Sequence, residues 1–368
     1  MFRNYRLKNF NLPLVLVMFA ISIIGILVIG SANSDYQNRQ IMGMLIGVVV
    51  MVIVALIDYD FVLQFYWLYY AATIVLLGAV LVFGSNSKGA TRWIDLGFIR
   101  FQPSELAKIL LVLFFAFYLT KYQDEINTLK RLAITALLAG APLLLIVEEP
   151  DLSTTIVTFL IIASMIFYCG LSYKIVGPAV GIGVLGIILV LILLTHGGAS
   201  ILEGYQNYRI LAWLYPDDYT QYSYQQQNSI MAIGSGQLFG KGLNNDSIES
   251  VKNGNYISEP QTDFIFAVAG EELGFLGAGL IIVLLFLIVL FCLKTAKKAK
   301  DLAGELICIG MASIIGYQSF VNICVVTGMF PNTGVTLPFM SYGLTSLVTL
   351  YFGMGFVLNV SLQAKKFN

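Results

Sequence analysis

The segment "SEPQTDFIFAVAGEELGF", residues 258–275, sets a carboxylate, Asp263, directly ahead of Phe264, Ile265, Phe266, Ala267 and Val268, with Glu271 and Glu272 beyond. A carboxylate at the mouth of an apolar segment is partly desolvated. That raises its affinity for protons and makes it a candidate general base. The plainer alternative is that Thr262 or Asp263 caps a helix beginning at Phe264. Capping accounts for one acid. It does not account for an acid that ends a long polar stretch holding a glycine turn and the basic Arg209, Lys241 and Lys252.

Further constellations carry charge. In "KGATRWIDLGFIRFQPSELAKIL", residues 88–110, Pro103 suits a first helical position, and Glu105 follows where it can reach free backbone amides. Lys108 lies three residues on, on the same helical face. A lysine within an apolar run needs a partner or a wet cavity, so Glu105 and Lys108 read as a structural ion pair or as part of a site. In "EEPDLSTT", residues 148–155, Asp151 reads as a helix cap or as a member of a site shared with Arg92 and Lys108. "IGSGQLFGKG", residues 233–242, resembles a phosphate loop, but the first glycine and the Ser or Thr after Lys241 are both missing, so the nucleotide pattern fails. Its glycines turn amides toward an anion or make a plain flexible turn.

The elements that must hold these residues are apolar. The chain has 368 residues, 58% hydrophobic and 11% charged, with a mean hydropathy of +0.82. A soluble domain carries about 25% charged residues. Ten apolar runs stand out, at 12–31, 41–57, 61–83, 105–120, 132–147, 153–171, 175–195, 264–293, 302–326 and 336–360. A bilayer core takes about 20 helical residues to cross, and backbone amides in lipid must pair within their own segment. The predicted fold is therefore an all-α polytopic membrane protein of about ten transmembrane helices, one integral membrane domain over 1–368. Glu271 and Glu272 interrupt the eighth run, which shifts its membrane entry toward Phe275.

Thirteen basic residues fall on one side of this arrangement and seven on the other. The positive-inside rule then puts both termini in the cytoplasm, with the first run an uncleaved span. Fourteen of the twenty-one acids, the 84–104 stretch and the large loop between spans 7 and 8, 196–263, face outward. In that loop Tyr205, Tyr208, Trp213, Tyr215 and Tyr219 suit a helix lying along the membrane surface. In "TGMFPNTGVTLPFMSYG", residues 327–343, Pro331, Gly334 and Pro338 predict a broken helix lining a cavity faced by Gln318 and Asn322. Cys169, Cys292, Cys308 and Cys324 all lie in apolar runs and read as packing residues. One histidine, His196, is too few for a multi-histidine metal site or a Ser-His-Asp triad, and zero net charge without a basic tract argues against nucleic acid.

The motifs "KGATRWIDLG", "FQPSELAK", "EPDLSTT", "AIGSGQLFGKG", "TDFIFAVAGEELGF" and "GVTLPFMSYG" together resemble the hallmarks of the SEDS family (shape, elongation, division and sporulation), which includes RodA and FtsW. The resemblance runs from about residue 10 to the end. It implies a peptidoglycan glycosyltransferase of the bacterial cytoplasmic membrane. The substrates would be lipid II and the nascent glycan strand. The partners would be a class B penicillin-binding protein and other membrane proteins of the elongation or division machinery. "FIRFQPSE" leans toward RodA and "PNTGVTLPFMSYG" toward FtsW, with RodA favoured. The resemblance places the family's key aspartate on Asp263, its acid–base pair on Glu105 and Lys108, and its supporting residues on Arg92 and Asp151. The chain departs from the family at Ser258 to Gln261, at Leu344 and at Asn228, which replaces a glutamine and leaves any substrate role there in doubt.

Under this reading Asp263 deprotonates a sugar hydroxyl that attacks an anomeric carbon as a lipid pyrophosphate leaves. Arg92, Lys108, Lys241 or a divalent cation, magnesium or manganese, offsets the leaving charge. The alternatives are a lipid II flippase, since broken helices and buried charges also suit transport, and a scaffold without catalysis.

Overall fold

The computed structural model describes residues 5–87, 90–95, 97, 100–195, 205–244 and 256–364. Lys88, His196, Lys252 and the terminal Arg3, Lys365 and Lys366 lie outside them.

Thirteen α-helices form among the described residues: α1 (Leu12–Ala32), α2 (Ser34–Leu56), α3 (Tyr59–Leu63), α4 (Tyr66–Phe83), α5 (Pro103–Lys121), α6 (Leu129–Glu148), α7 (Leu152–Tyr168), α8 (Tyr173–Thr195), α9 (Tyr205–Leu214), α10 (Thr220–Ser235), α11 (Ile265–Ala296), α12 (Leu302–Val326) and α13 (Leu344–Leu362). Eight of them are long and apolar enough to cross a membrane. Two shorter apolar helical stretches, Leu152–Tyr168 and Tyr173–Gly186, accompany them. The predicted run 61–83 is divided at residues 64–65 into α3 and α4. The tenth run starts as helix only at Leu344, eight residues late, because 329–343 is irregular, with Pro331 and Pro338 in it and left-handed backbone at Gly334 and Phe339.

Helix α5 is apolar nearly all round, and fifteen of its nineteen residues are buried, which marks it as a central helix. Helix α12 packs against α5, α7 and α11, and α13 packs against α2. The α2–α13 seam is close because it is built on small residues. A methyl on Gly47 would stand 2.6 Å from the Tyr351 ring, and one on Gly355 would stand 2.9 Å from the Met51 carbonyl.

Two stretches read as loops have structure of their own. The 84–104 stretch holds a small antiparallel sheet in the order β1 (Ser85–Ser87), β2 (Ala90–Asp95), β3 (Arg100–Phe101), pairing Ser85 with Trp93 and Ile94 with Phe101. Thr91, Trp93 and Ile94 favour a strand, and alternation along β2 sends Arg92 to the face opposite Trp93. The 196–263 stretch carries α9 and α10, and α10 packs along α11.

The two ends of the described chain meet. Arg6 N donates to Leu362 O at 3.0 Å, and Asn359 Nδ2 to the Tyr5 hydroxyl at 2.7 Å. Helix α13 runs from there back to Leu344 over about 28 Å, roughly a hydrocarbon core. The polar motifs gather at its Leu344 end, so the site and the termini lie at opposite ends of the bundle.

Gly47→Val should lower thermal stability in detergent by about 1–3 kcal/mol through overpacking against Tyr351. Gly140→Ala, inside α6 where an added Cβ meets no atom within 4 Å, should not lower it. Equal melting temperatures for the two would contradict the tight seam.

Candidate functional site

The irregular stretch 329–343 has no helix to satisfy its backbone, and side chains of α12 do that instead. Gln318 Nε2 donates to Thr336 Oγ1 at 2.9 Å and to Thr336 O at 3.2 Å. One turn on, Asn322 Nδ2 donates to Val335 O at 2.6 Å and to Asp263 O at 2.7 Å. The predicted pairing of Gln318 and Asn322 on one face is what makes this possible. The same stretch holds the segment before α11 a second time. Ser341 Oγ donates to Thr262 O at 2.7 Å, and Tyr342 N donates to Gln261 O at 2.8 Å. The N-cap of α11 is Phe264, so Asp263 stands one position ahead of the cap, partly exposed.

Gly334 places the two charges that matter most. A methyl there would sit 3.2 Å from Asp263 Oδ2 and 3.9 Å from Arg92 Nη1. The carboxylate and the guanidinium therefore approach a common point. Arg92 reaches it from β2 and is held from the other side: Nη2 donates to Pro150 O, and Nε lies 3.6 Å from Asp151 Oδ2. Asp151 in turn caps α7 by accepting from Thr154 N at 3.1 Å. Asp151 thus caps α7 and pairs with Arg92 at once, while Lys108 takes Glu105 and Gln318.

Glu105, in the first turn of α5, and Lys108, a turn on, form a buried pair at 2.8 Å. Lys108 also donates to Gln318 Oε1 at 2.9 Å, and Glu105 Oε2 accepts from Ser346 of α13 at 3.3 Å. Glu105 thus takes side chains, where the sequence suggested the free amides of its helix end. Through Gln318 the pair is tied to the stretch that seats Asp263.

Two predicted residues stand apart from these contacts. Lys241 donates to Glu271 Oε1 at 2.7 Å, with Glu271 about 12 Å along the helix from Asp263. Asn228 is buried and donates to Tyr256 O at 2.9 Å, a structural contact. Sequence reasoning missed Thr336, Ser341, Ser346 and Asn332. The signal for Asn332, Thr336 and Ser341 lies in the hydroxyls and amides of the quoted 327–343 motif, and Ser346 lies just past it.

In front of Asp263 lies an open cleft of about 320 Å³, lined by Arg209, Tyr222, Gln225, Glu259 and Asn332 among others. One side of it comes from α9 and α10, where the tyrosines suggested a single helix, and the other from residues 258–264 and Asn332. Glu149, in the turn between α6 and α7, is fully buried, and neither carboxyl oxygen has a hydrogen-bond partner among the described residues. Burial, and then the negative charge of Asp151, push its pKa up to about 8 against the pull of Arg92. It is a neutral acid beside the Arg92–Asp151 pair at pH 7.

The family model described as "Cell cycle protein", which groups FtsW, RodA and SpoVE, matches residues 4–366. The chain belongs to the FtsW/RodA/SpoVE family. It is 35% identical over 356 residues to the peptidoglycan glycosyltransferase MrdB of Escherichia coli (strain K12), covering 96% of this chain and 93% of that protein. It is 33% identical over 379 residues to the probable peptidoglycan glycosyltransferase FtsW of Geobacter sulfurreducens, covering 98% and 97%. Among solved structures it is similar to RodA of Thermus thermophilus, a rod shape determining protein, with a TM-score of 0.72 and 27% identity over 97% of this chain and 98% of that one. It is also similar to a chain in a structure described as the coordination of polymerization and crosslinking by a peptidoglycan synthase complex, with a TM-score of 0.79 and 28% identity over 96% and 97%. With its apolar helices, family membership makes the chain a multi-pass membrane protein.

Two outcomes check this geometry. Lys108→Ala, which strands Glu105 in a buried place, should cost about 3–5 kcal/mol, whereas Glu105→Gln with Lys108→Met should recover most of that loss in thermal melts. Glu149 should make stability fall as pH rises. Above about pH 4.5 the unfolded chain releases this proton, while the folded protein keeps it to about pH 8. Glu149→Gln should therefore lose less melting temperature than the parent between pH 5 and pH 8. Parallel pH profiles would contradict the buried neutral acid.

Proposed function

We propose that this chain is a peptidoglycan glycosyltransferase that polymerises lipid II into glycan strands at the outer face of the cytoplasmic membrane, with Asp263 as the general base. The observation that carries the reading is the meeting of Asp263 and Arg92 beside Gly334 at the rim of a cleft. Asp263 takes the proton of the incoming sugar hydroxyl. The oxygen attacks the anomeric carbon, which inverts as the lipid pyrophosphate departs. Removing that proton in step with attack is worth about 10²–10⁴ in rate. Arg92 supplies fixed positive charge near the developing negative charge. Lys108 is occupied by Glu105 and Gln318, so its role is to hold the site in place.

A divalent cation, magnesium or manganese, is part of the proposal as a companion of the substrate. No three Asp, Glu, His or Cys side chains gather to bind a metal among the described residues. Such an ion would take most of its oxygens from the pyrophosphate and from water, as magnesium commonly does. The termini would be cytoplasmic, consistent with the bias of basic residues toward that side. A class B penicillin-binding protein is the proposed partner, supported by the similarity to the synthase-complex chain. Elongation is favoured over division by "FIRFQPSE".

Transport remains the competing class. A flippase places its charged groups near the bilayer midplane with access from both sides. The grouping of Asp263, Arg92, Asp151 and Glu105 at the end of the bundle opposite the termini supports polymerisation instead. Purified Asp263→Asn, given lipid II and the transpeptidase in detergent, should form glycan strands about a hundredfold more slowly or worse, while the parent polymerises. Glycan of normal length and rate from Asp263→Asn would reject the base. A parent without polymerase activity, where no flipping is required, would return the chain to the transporter class.

A further inference from the structure

The stretch "IGSGQLFGKG" is the one prominent motif that the site does not absorb. It lies against a break in α11. At Gly274 the backbone leaves the helix, with φ 68° and ψ −166°. A break of this kind frees carbonyls before it and amides after it, and in a bundle that crosses a membrane they need protein partners. Residues 237–242 supply them from both sides. Lys241 N and Gly242 N donate to Glu271 O at 3.0 Å and Glu272 O at 2.9 Å. Phe275 N and Leu276 N donate to Gln237 O at 2.8 Å and Leu238 O at 3.2 Å.

Backbone lies directly on backbone along this contact. A methyl on Gly236 would stand 2.0 Å from Gly270 O, one on Gly240 2.2 Å from Glu272 O, and one on Gly274 2.2 Å from Gly240 N. Gly240 and Gly274 also have left-handed φ, 80° and 68°. Side chains close the contact at its edges. Lys241 Nζ donates to the buried Glu271 Oε1 at 2.7 Å. Ser31 of α1 donates to Glu272 Oε1 at 2.5 Å and accepts from Asn244 N at 2.8 Å.

The consequence reaches Asp263. The nine residues 265–273 form a short helix cut off from the rest of α11 at Gly274, and Asp263 sits at its outer end. The other end is held by the 236–242 stretch, which continues α10, and α10 lines the cleft with Tyr222 and Gln225. One continuous piece of chain therefore sets both the cleft wall and the helix that carries the carboxylate.

We propose that residues 236–242 are a splint that positions Asp263 through the short helix 265–273, and that Lys241 is a positioning residue locked on Glu271 rather than a cation for the leaving pyrophosphate. The proposal rests on the reading of Asp263 as the base. A carboxylate displaced by about 1 Å can lose a hundredfold in rate while substrate still binds.

The test uses purified full-length protein with its transpeptidase partner and lipid II, with kcat and KM read separately on protein shown to be folded by its melting transition. Gly236→Ala should lower kcat about a hundredfold with KM unchanged. Gly234→Ala, where an added Cβ meets no atom within 4 Å, should match the parent. Lys241→Gln should lower kcat, Lys241→Arg should retain most of it, and Lys241→Glu combined with Glu271→Lys should recover part of what either loses alone. Should Gly236→Ala not fold, the lysine series carries the test. A raised KM with kcat kept in Lys241→Gln, together with no recovery on charge exchange, would make Lys241 a substrate ligand and overturn the splint. Parent-like kcat in both Gly236→Ala and Lys241→Gln would overturn it as well. If the parent and Gly234→Ala make no glycan, the function itself is wrong and the splint falls with it, a result distinct from either of the others.

Discussion

Irregular backbone inside a membrane protein is the constraint on which this structure turns. Residues 329–343 cross protein interior without a helix, so their polar groups must be met by side chains or by other backbone. Gln318 and Asn322 meet them from α12, and Ser341 and Tyr342 extend the lacing to Gln261 and Thr262. The stretch does more than survive in this way. Because Asn322 serves the carbonyls of Val335 and Asp263 at once, the position of the carboxylate is set by the same bonds that make the break tolerable.

The Glu105–Lys108 pair has its place in this logic. A buried ion pair is weak support for stability, because desolvating both charges cancels much of their attraction. It does orient its neighbours. Lys108 fixes the carbonyl end of the Gln318 amide, which leaves the amide nitrogen facing Thr336. Glu105 accepts from Ser346 on α13. Three helices are thus set in register around the irregular stretch by one pair of charges on α5.

Much of this was legible from residue order alone. The apolar runs, the interruption at Glu271 and Glu272, the break in 327–343, and the common face of Gln318 and Asn322 all rest on local composition or helical period, which short windows carry. Arg92, Asp151, Glu105 and Lys108 were singled out because charge beside an apolar run has few harmless explanations. What stayed hidden depends on contacts between distant parts of the chain. Nothing near Arg92 says that its guanidinium reaches the Pro150 carbonyl, or that three short strands aim it there. Nothing near Lys241 says that its partner is Glu271, thirty residues on. Asn228 looked like a departure in a substrate position and proves to hold the Tyr256 carbonyl. By sequence Glu149 is one more outward acid, because its burial cannot be read from a turn sequence.

In the proposed mechanism, the way Arg92 is held bears on how a single carboxylate would suffice. An arginine free to move would have to be ordered as negative charge develops. This one has Nη2 engaged by Pro150 O and Nε facing Asp151, with the strand behind it paired into a sheet. Its charge is committed in place, with Nη1 beside Gly334 and 3.9 Å from where a methyl there would sit. Glu149 bears on the same point. Were it ionised it would compete with Asp151 and Asp263 for the guanidinium, and its burial keeps it neutral. Fixed positive charge that needs no rearrangement as negative charge develops is the electrostatic condition for fast group transfer. Here the fold meets it with one strand, one helix cap and one glycine small enough to let the two charges approach.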